Sequence, residues 1–385
     1  MRFLYCFMFL FLSYTAVVLG ENSRNGKENV LPDWALGGFK RPQGVNPIIS
    51  PNEKTNFFCP VRQDSVPWES NDTFNPGAVV YDNKIVVLYR AEDKSGVRIG
   101  RRTSRIGYAS SNNGTDFDRN MTPVLYPDND NQTENEWPGG CEDPRVAVTD
   151  GGLYVMIYTQ WNRKIPRLAV ATSRDLMIWE KHGPIFSKAL DGRFSNMKCK
   201  SASIVTEIVK GKQVIKKING KYFMYWGENN VYAAISDNLI DWTPVLNNDG
   251  SLRRLLSPRD GYFDSQFTEC GPPAIYTPKG IVLLYNGKND KGKGDKKYTA
   301  NVYAAGQALF DKKNPLKVIA RLNEPFFRPL EKFEKSGQYK SGTVFIQGLV
   351  YFKGKWFLYY GCADSKVGVA IYNPKKSLYG DPLPQ

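Results

Sequence analysis

The chain has 385 residues, 41% hydrophobic and 23% charged, with 52 basic against 38 acidic side chains and a formal net charge of +14. Those are ordinary globular values with ample length for a core, which excludes a disordered chain but leaves one domain or two open. The positive excess is spread out, and its densest part, Lys288 to Lys297, is Gly-rich and reads as a solvated loop; nucleic acid is therefore not an expected partner, because such a face needs clustered charge on an ordered element.

In chain order, Arg2 and the apolar run Phe3 to Leu19 come first, followed by Gly20 and the polar Glu21-Asn22-Ser23. This reads as a signal peptide over residues 1 to 20, which would make the mature protein secreted or periplasmic. No second long apolar run follows, so no membrane span is expected in the mature protein. Residues 21 to 70 contain Pro, Gly and Asn with little periodicity and read as an N-terminal arm, ahead of a catalytic domain over residues 71 to 385.

Six cysteines become five once Cys6 leaves with the leader, so they cannot all pair. Cys141, Cys270 and Cys362 recur beside glycine at matching places in the repeat described next and read as small buried packing residues. The single histidine, His182, speaks against a His-based metal site or a Ser-His-Asp triad, and neither metal nor cofactor is expected.

From residue 84 on, apolar runs ending in Tyr plus one residue recur five times: Lys84 to Arg90, Gly152 to Thr159, Lys221 to Trp226, Ile281 to Asn286 and Lys355 to Tyr360. Runs this short, rich in β-branched and aromatic residues and apolar on both alternating faces, are strands buried on both sides. Each is followed by a second element of one form, such as Arg105-Ile-Gly-Tyr-Ala109 or Asn230-Val-Tyr-Ala-Ala234, and several of these run on into hairpins. Units of three or four antiparallel strands, repeated five times, predict an all-β fold, a five-bladed β-propeller.

In that architecture the segments entering the first strand of each blade, and the connections from second to third strand, open on one mouth. The first group holds Asn75, Asp143, Lys200 and Glu269; the second holds Arg90, Asp93, Gln160, Trp161, Arg163, Glu228 and Asp364. The central stretch is Gly139-Gly140-Cys141-Glu142-Asp143-Pro144-Arg145. Proline disfavours the helical region for the residue before it, so Asp143 is expected to be extended, on one face with Arg145 and with Glu142 turned the other way. A structural salt bridge explains the same residues as well as acid-base chemistry does.

Carboxylates with no histidine pair, metal signature or reactive serine point to glycosidic cleavage, which two carboxyl groups can run alone. Trp161 and Trp226 would offer flat faces to a sugar, with blade packing the competing account for each and Trp137 open to either.

Phe74-Asn75-Pro76-Gly77, Tyr89-Arg90-Ala91, Gly140-Cys141-Glu142-Asp143-Pro144-Arg145 and Tyr360-Gly361-Cys362-Ala363-Asp364 together closely resemble glycoside hydrolase family 130, from about residue 45 to the end. The resemblance implies a five-bladed propeller acting on β-linked mannosides, as phosphorylase or hydrolase, by inversion. It implies Asp143 as general acid, working through a mannose hydroxyl. Trp226-Gly227-Glu228-Asn229-Asn230 and Phe267-Thr268-Glu269-Cys270-Gly271 look like the secreted branch that hydrolyses β-1,2-mannosides, which implies Glu228 and Glu269 as base candidates. Asn75, Arg90, Asp93, Arg145, Gln160, Trp161, Arg163, Lys200 and Asp364 are the expected substrate-binding residues. Family phosphorylases place a His after the Tyr of the fourth inner strand, where this chain reads Tyr285-Asn286-Gly287. Arg145, two residues from Asp143, would lower the pKa of an acid that should hold a proton, unless it turns to Glu142 or substrate binding intervenes.

Overall fold

Antiparallel meanders account for nearly all of the regular structure in the computed structural model, which describes residues 30 to 374. The leader lies outside the described residues. The first meander pairs Asp72–Tyr81 with Lys84–Glu92, then Ser104–Ser111 and the short Asp118–Arg119. The next pairs Gly140–Val148, Tyr154–Trp161, Pro166–Ser173 and Glu180–Pro184 in the same order. A third joins Ala202–Val209, Lys221–Trp226, Tyr232–Ser236 and Trp242–Pro244. A fourth joins Ala274–Thr277, Gly280–Lys288, Tyr303–Phe310 and Val318–Arg321, with Phe267–Cys270 extending its inner edge. The last runs Val344–Phe352, Lys355–Cys362 and Lys366–Tyr372, and its outer edge receives Lys40 and Ile49 through bridges to Ile371 and Val367. Helix is confined to Thr133–Glu136 and one 3₁₀ turn, Lys332–Glu334, among the described residues. The fold is all-β, with curled, propeller-like sheets.

The second strand of each meander is buried along nearly its whole length, as expected for a strand covered on both faces. Behind four of them the same device recurs. Tyr89 donates to Glu69 (2.7 Å), which also accepts from Arg119. Tyr158 donates to Glu136 (2.7 Å) beside Lys181 (2.6 Å), and Tyr285 to Asp264 (2.7 Å) beside Arg321 (2.6 Å). In the last meander the tyrosine is Tyr360, bonded to Glu334 (2.8 Å), and the cation is Arg41 (2.6 Å) from the N-terminal segment. The third meander lacks the set, Tyr225 donating instead to the Pro315 carbonyl (3.0 Å). A buried carboxylate is tolerable when a cation and a hydroxyl complete its shell.

Three inner strands carry β-bulges, between Phe74 and Pro76, between Glu142 and Arg145, and between Ile346 and Gly348. A bulge adds one unpaired residue and re-aims side chains. The bulged residues are Asn75, the Asp143-Pro144 pair and Gln347. The five cysteines of the described chain are free and buried, and His182 bonds Thr172 (2.7 Å) on an outer strand.

Candidate active site

The bulge at Asp143 overturns the extended backbone that Pro144 suggests: Asp143 has φ +52°, and Asn75, also before a proline, has φ +46°. The extra residue breaks the period-two alternation, so Glu142 and Asp143 both turn to one guanidinium. Arg90 donates to Asp143 (3.2 Å), to Glu142 (2.8 Å) and to Glu92 (2.6 Å). Asn75 adds a bond to Asp143 (2.8 Å), and Lys200 one to the far oxygen of Glu142 (3.1 Å). Burial pushes the Asp143 carboxyl up, but Arg90, Lys200 and Arg145 with the Asn75 amide outweigh it and hold the group below its usual range. At rest Asp143 is ionised.

Arg145 leaves Glu142 aside and lies 3.9 Å from a different carboxylate, Glu269. Its guanidinium sits among backbone carbonyls, donating to Asp143 (3.1 Å), Lys200 (3.2 Å), Cys270 (3.1 Å) and Gly271 (3.2 Å), and to the Ser201 hydroxyl (2.8 Å). It thereby ties three meanders together around the bulge. Gln347 does the same from the last meander, donating to the carbonyls of Asn75 and Pro144 at 2.7 Å each.

Across from this cationic set lie the two glutamates. Cys270 and Thr268 donate through their backbones to Gly227 and Asn229 (3.2 and 3.4 Å). The loop carrying Glu228 is thus laid along the strand carrying Glu269. Glu269 is buried and accepts from Ser201. Burial and the neighbouring Glu228 push its pKa up to about 8. Burial raises Glu228 as well, against Lys200. Each carboxyl thus disfavours ionisation of the other. Asp364, half-exposed and at φ +52°, is raised to about 7, mainly by burial. Neither the Glu228 nor the Asp364 carboxylate has a hydrogen-bond donor among the described residues. Strained backbone at Asn75, Asp143 and Asp364 within one mouth is the pattern of a site held for function.

The chain matches glycoside hydrolase family 130, described as beta-1,4-mannooligosaccharide phosphorylase, over residues 40–378. A 1,2-beta-oligomannan phosphorylase of Thermoanaerobacter sp. (strain X514) is 34% identical over 314 residues, 80% of this chain and 92% of that one. A crystal structure of a glycosyl hydrolase from Bacteroides ovatus is 73% identical with a TM-score of 0.90, covering 93% of this chain and 100% of that one. A second structure, 72% identical with the same TM-score and coverage, is described as "The GH130 family of mannoside phosphorylases contains glycoside hydrolases that target beta-1,2 mannosidic linkages in Candida mannan". The chain belongs to glycoside hydrolase family 130.

As a family 130 mannoside enzyme it brings Asn75, Arg90, Asp143, Lys200, Glu228, Glu269 and Asp364 to one mouth, with Arg145 just beneath. Gln160 does not join them. It is buried and its amide nitrogen is committed to Gln132, Glu136 and Tyr158 (3.1 to 3.2 Å). The reason is alternation: its neighbour Thr159 takes the face toward Lys200, bonding that carbonyl at 3.1 Å. Asp93 is likewise buried, its carboxylate held by Arg105 (2.8 Å) and the Ser95 amide (2.9 Å). Trp161 is half-buried near Lys200, whose ammonium is 5.9 Å from its ring centre, and its indole donates to Gly100 (3.1 Å). Arg163 stands at φ +62° with its Nε buried and without a partner among the described residues; burial and Arg101 lower its pKa. Trp226 is core, packed on Phe186 and Tyr232, and Trp137 is half-buried against the first meander's core.

Gln347 and Tyr303 were missed from sequence. Glu92 and Ser201 lie in the segments Arg90 to Asp93 and Lys200-Ser201 that the sequence assigns to the mouth, without being singled out as site residues. Tyr303, whose hydroxyl is pushed up by burial, then by Glu269, Tyr339, Asp364 and Glu228, sits in a third strand that reads as ordinary blade.

Proposed function

We propose that this enzyme is an inverting glycoside hydrolase that cleaves β-1,2-linked mannosides, on a propeller whose five meanders are its blades, exported by the leader over residues 1 to 20. The observation that carries the reading is the Glu228 and Glu269 pair facing Asp143 across the mouth. A hydrolase needs a carboxylate there to take a proton from water. A phosphorylase must instead seat a dianion at that point, which two carboxyl groups with no phosphate-binding cation between them oppose.

Asn286, at the position where family phosphorylases carry a His, is buried, and its side chain exchanges two bonds with the Ile346 backbone (3.0 and 2.8 Å). Its side chain is thereby committed to the neighbouring strand. The 72% identical structure described in terms of β-1,2 mannosidic hydrolases supports the same reading.

Asp143 must hold a proton to act as the acid. Burial already pushes it that way, and a sugar that loosens the 3.2 Å contact with Arg90 weakens the main charge opposing it. The proton then reaches the bridging oxygen through a mannose hydroxyl.

The second reading, a β-mannoside phosphorylase, draws on the phosphorylase relative at 34% identity and on Lys200 and Arg163 as anion-binding cations. Incubating the protein with β-1,2-mannobiose across phosphate concentrations separates the two. Phosphate-independent release of mannose is expected, and phosphate-dependent mannose 1-phosphate would overturn the hydrolase.

A further inference from the structure

The hydrogen bonds around Ser201 treat the two mouth glutamates differently. A serine hydroxyl has one proton and can accept as well as donate, whereas a guanidinium only donates. Arg145 donates to Ser201 Oγ at 2.8 Å, so the serine's own proton goes to Glu269 Oε1. Arg145 cannot swing away to change this, because its other donors are committed to four backbone carbonyls. Glu269 is therefore a fixed, buried group with one oxygen occupied. Glu228, on the adjacent loop, is half-exposed to the mouth, and its carboxylate has no hydrogen bond or ion pair among the described residues.

We propose that the pair divides its work: Glu228 is the base that receives the proton of the attacking water, and Glu269 is a positioning residue held by Ser201. The inference rests on the hydrolase reading. The charged groups around the pair agree with it. Glu269 faces Glu228, Arg145 and Asp143, and Glu228 faces Lys200, Asp143, Arg145, Glu142 and Glu269. Burial is the largest influence on both, and it weighs most on the deeper Glu269. Lys200 is the leading favourable partner of an ionised Glu228.

In the step, the water oxygen bonds to the anomeric carbon as the bond from that carbon to the bridging oxygen breaks. One water proton passes to Glu228. The bridging oxygen takes a proton that originates on Asp143, and mannose leaves with a shortened mannoside. Glu269, held by Ser201, positions the water through its second oxygen and takes no proton in the step.

The test uses the full chain with β-1,2-mannobiose in phosphate-free buffer. Glu228→Gln is expected to lose at least ~10²-fold in turnover, the lower end of what a general base supplies. Glu269→Gln should stay within about tenfold of wild type, because an amide keeps an acceptor for Ser201 and a polar group beside the water. Added azide should restore Glu228→Ala with formation of mannosyl azide, since the small anion needs no base, and should not restore Glu269→Ala. Equal losses in the two Gln variants would overturn the division of labour, as would azide rescue of Glu269→Ala instead. If Glu269→Gln does not fold, the azide result on Glu228→Ala decides alone, and absence of mannosyl azide sinks the proposal. A wild-type enzyme that turns over only with phosphate refutes the hydrolase reading itself, and this inference with it, before any variant is made.

Discussion

Two kinds of buried carboxylate coexist in this protein, and they are built differently. Behind the inner strands, Glu69, Glu136, Asp264 and Glu334 each meet a tyrosine hydroxyl and a cation. At the mouth, Glu228 and Asp364 have no hydrogen-bond donor among the described residues, Glu269 has one hydroxyl and Arg145 at 3.9 Å, and Asp143 shares Arg90 with two other acids. The first arrangement satisfies its charges and belongs to the architecture. The second leaves protons to be shared and oxygens unbonded, which costs stability and is retained where chemistry needs it. Burial of an acid therefore does not mark function here; incomplete partnership does.

Exchanging a carboxylate in each set puts that contrast to work. At the mouth, Asp143→Asn should leave the melting temperature near wild type and lower turnover by ~10² to 10⁴-fold, the range that acid-base catalysis supplies. Steady-state kinetics with mannobiose, beside circular dichroism, checks it, and a folded variant with normal turnover removes Asp143 from the acid role. Behind the strands the expectation reverses. Glu136→Gln removes the buried charge shared by Tyr158, Gln160 and Lys181, leaves Lys181 to Asp130 (3.0 Å) and the Tyr126 carbonyl (2.7 Å), and should cost ~1 to 3 kcal/mol in urea unfolding with activity per folded molecule kept.

The pH dependence of stability sharpens the difference. Glu269 is raised to about 8 and Asp364 to about 7, so the folded state binds more protons than the unfolded chain. Their contribution is fully present below the unfolded values, near 4.5 and 3.8, and is lost as pH rises through the folded ones. Unfolding free energy should accordingly fall between about pH 4.5 and 8, and Glu269→Gln should flatten that slope. A slope unchanged by the substitution would dissociate Glu269 from the effect. The smallest effect is expected at Trp161, where an aromatic contact of ~0.5 to 1.5 kcal/mol translates into a KM increase of roughly threefold to tenfold for Trp161→Ala. An unchanged KM would take the ring out of the substrate's path.

What the sequence determined by itself was the repeat and the set of residues it delivers to one end. Strand burial, turn chemistry and the order of segments are local or periodic properties, and they carried Asn75, Arg90, Asp143, Lys200, Glu228, Glu269 and Asp364 to a common mouth although the first and last lie in opposite ends of the chain. The family resemblance rested on those same residues. The tertiary structure alone decided how they are aimed. The bulge that turns Glu142 and Asp143 together is a register event between two strands, and alternation read along one strand predicts the opposite. Arg145 chose carbonyls from two other meanders over the carboxylate beside it, and Gln160 fell on the inward face. Arg90 reaches Glu142 across 52 residues and Gln347 reaches Asn75 across 272. Interactions at that separation exist only once the meanders have packed together, because each depends on which buried partners remain free, and no local pattern records that choice.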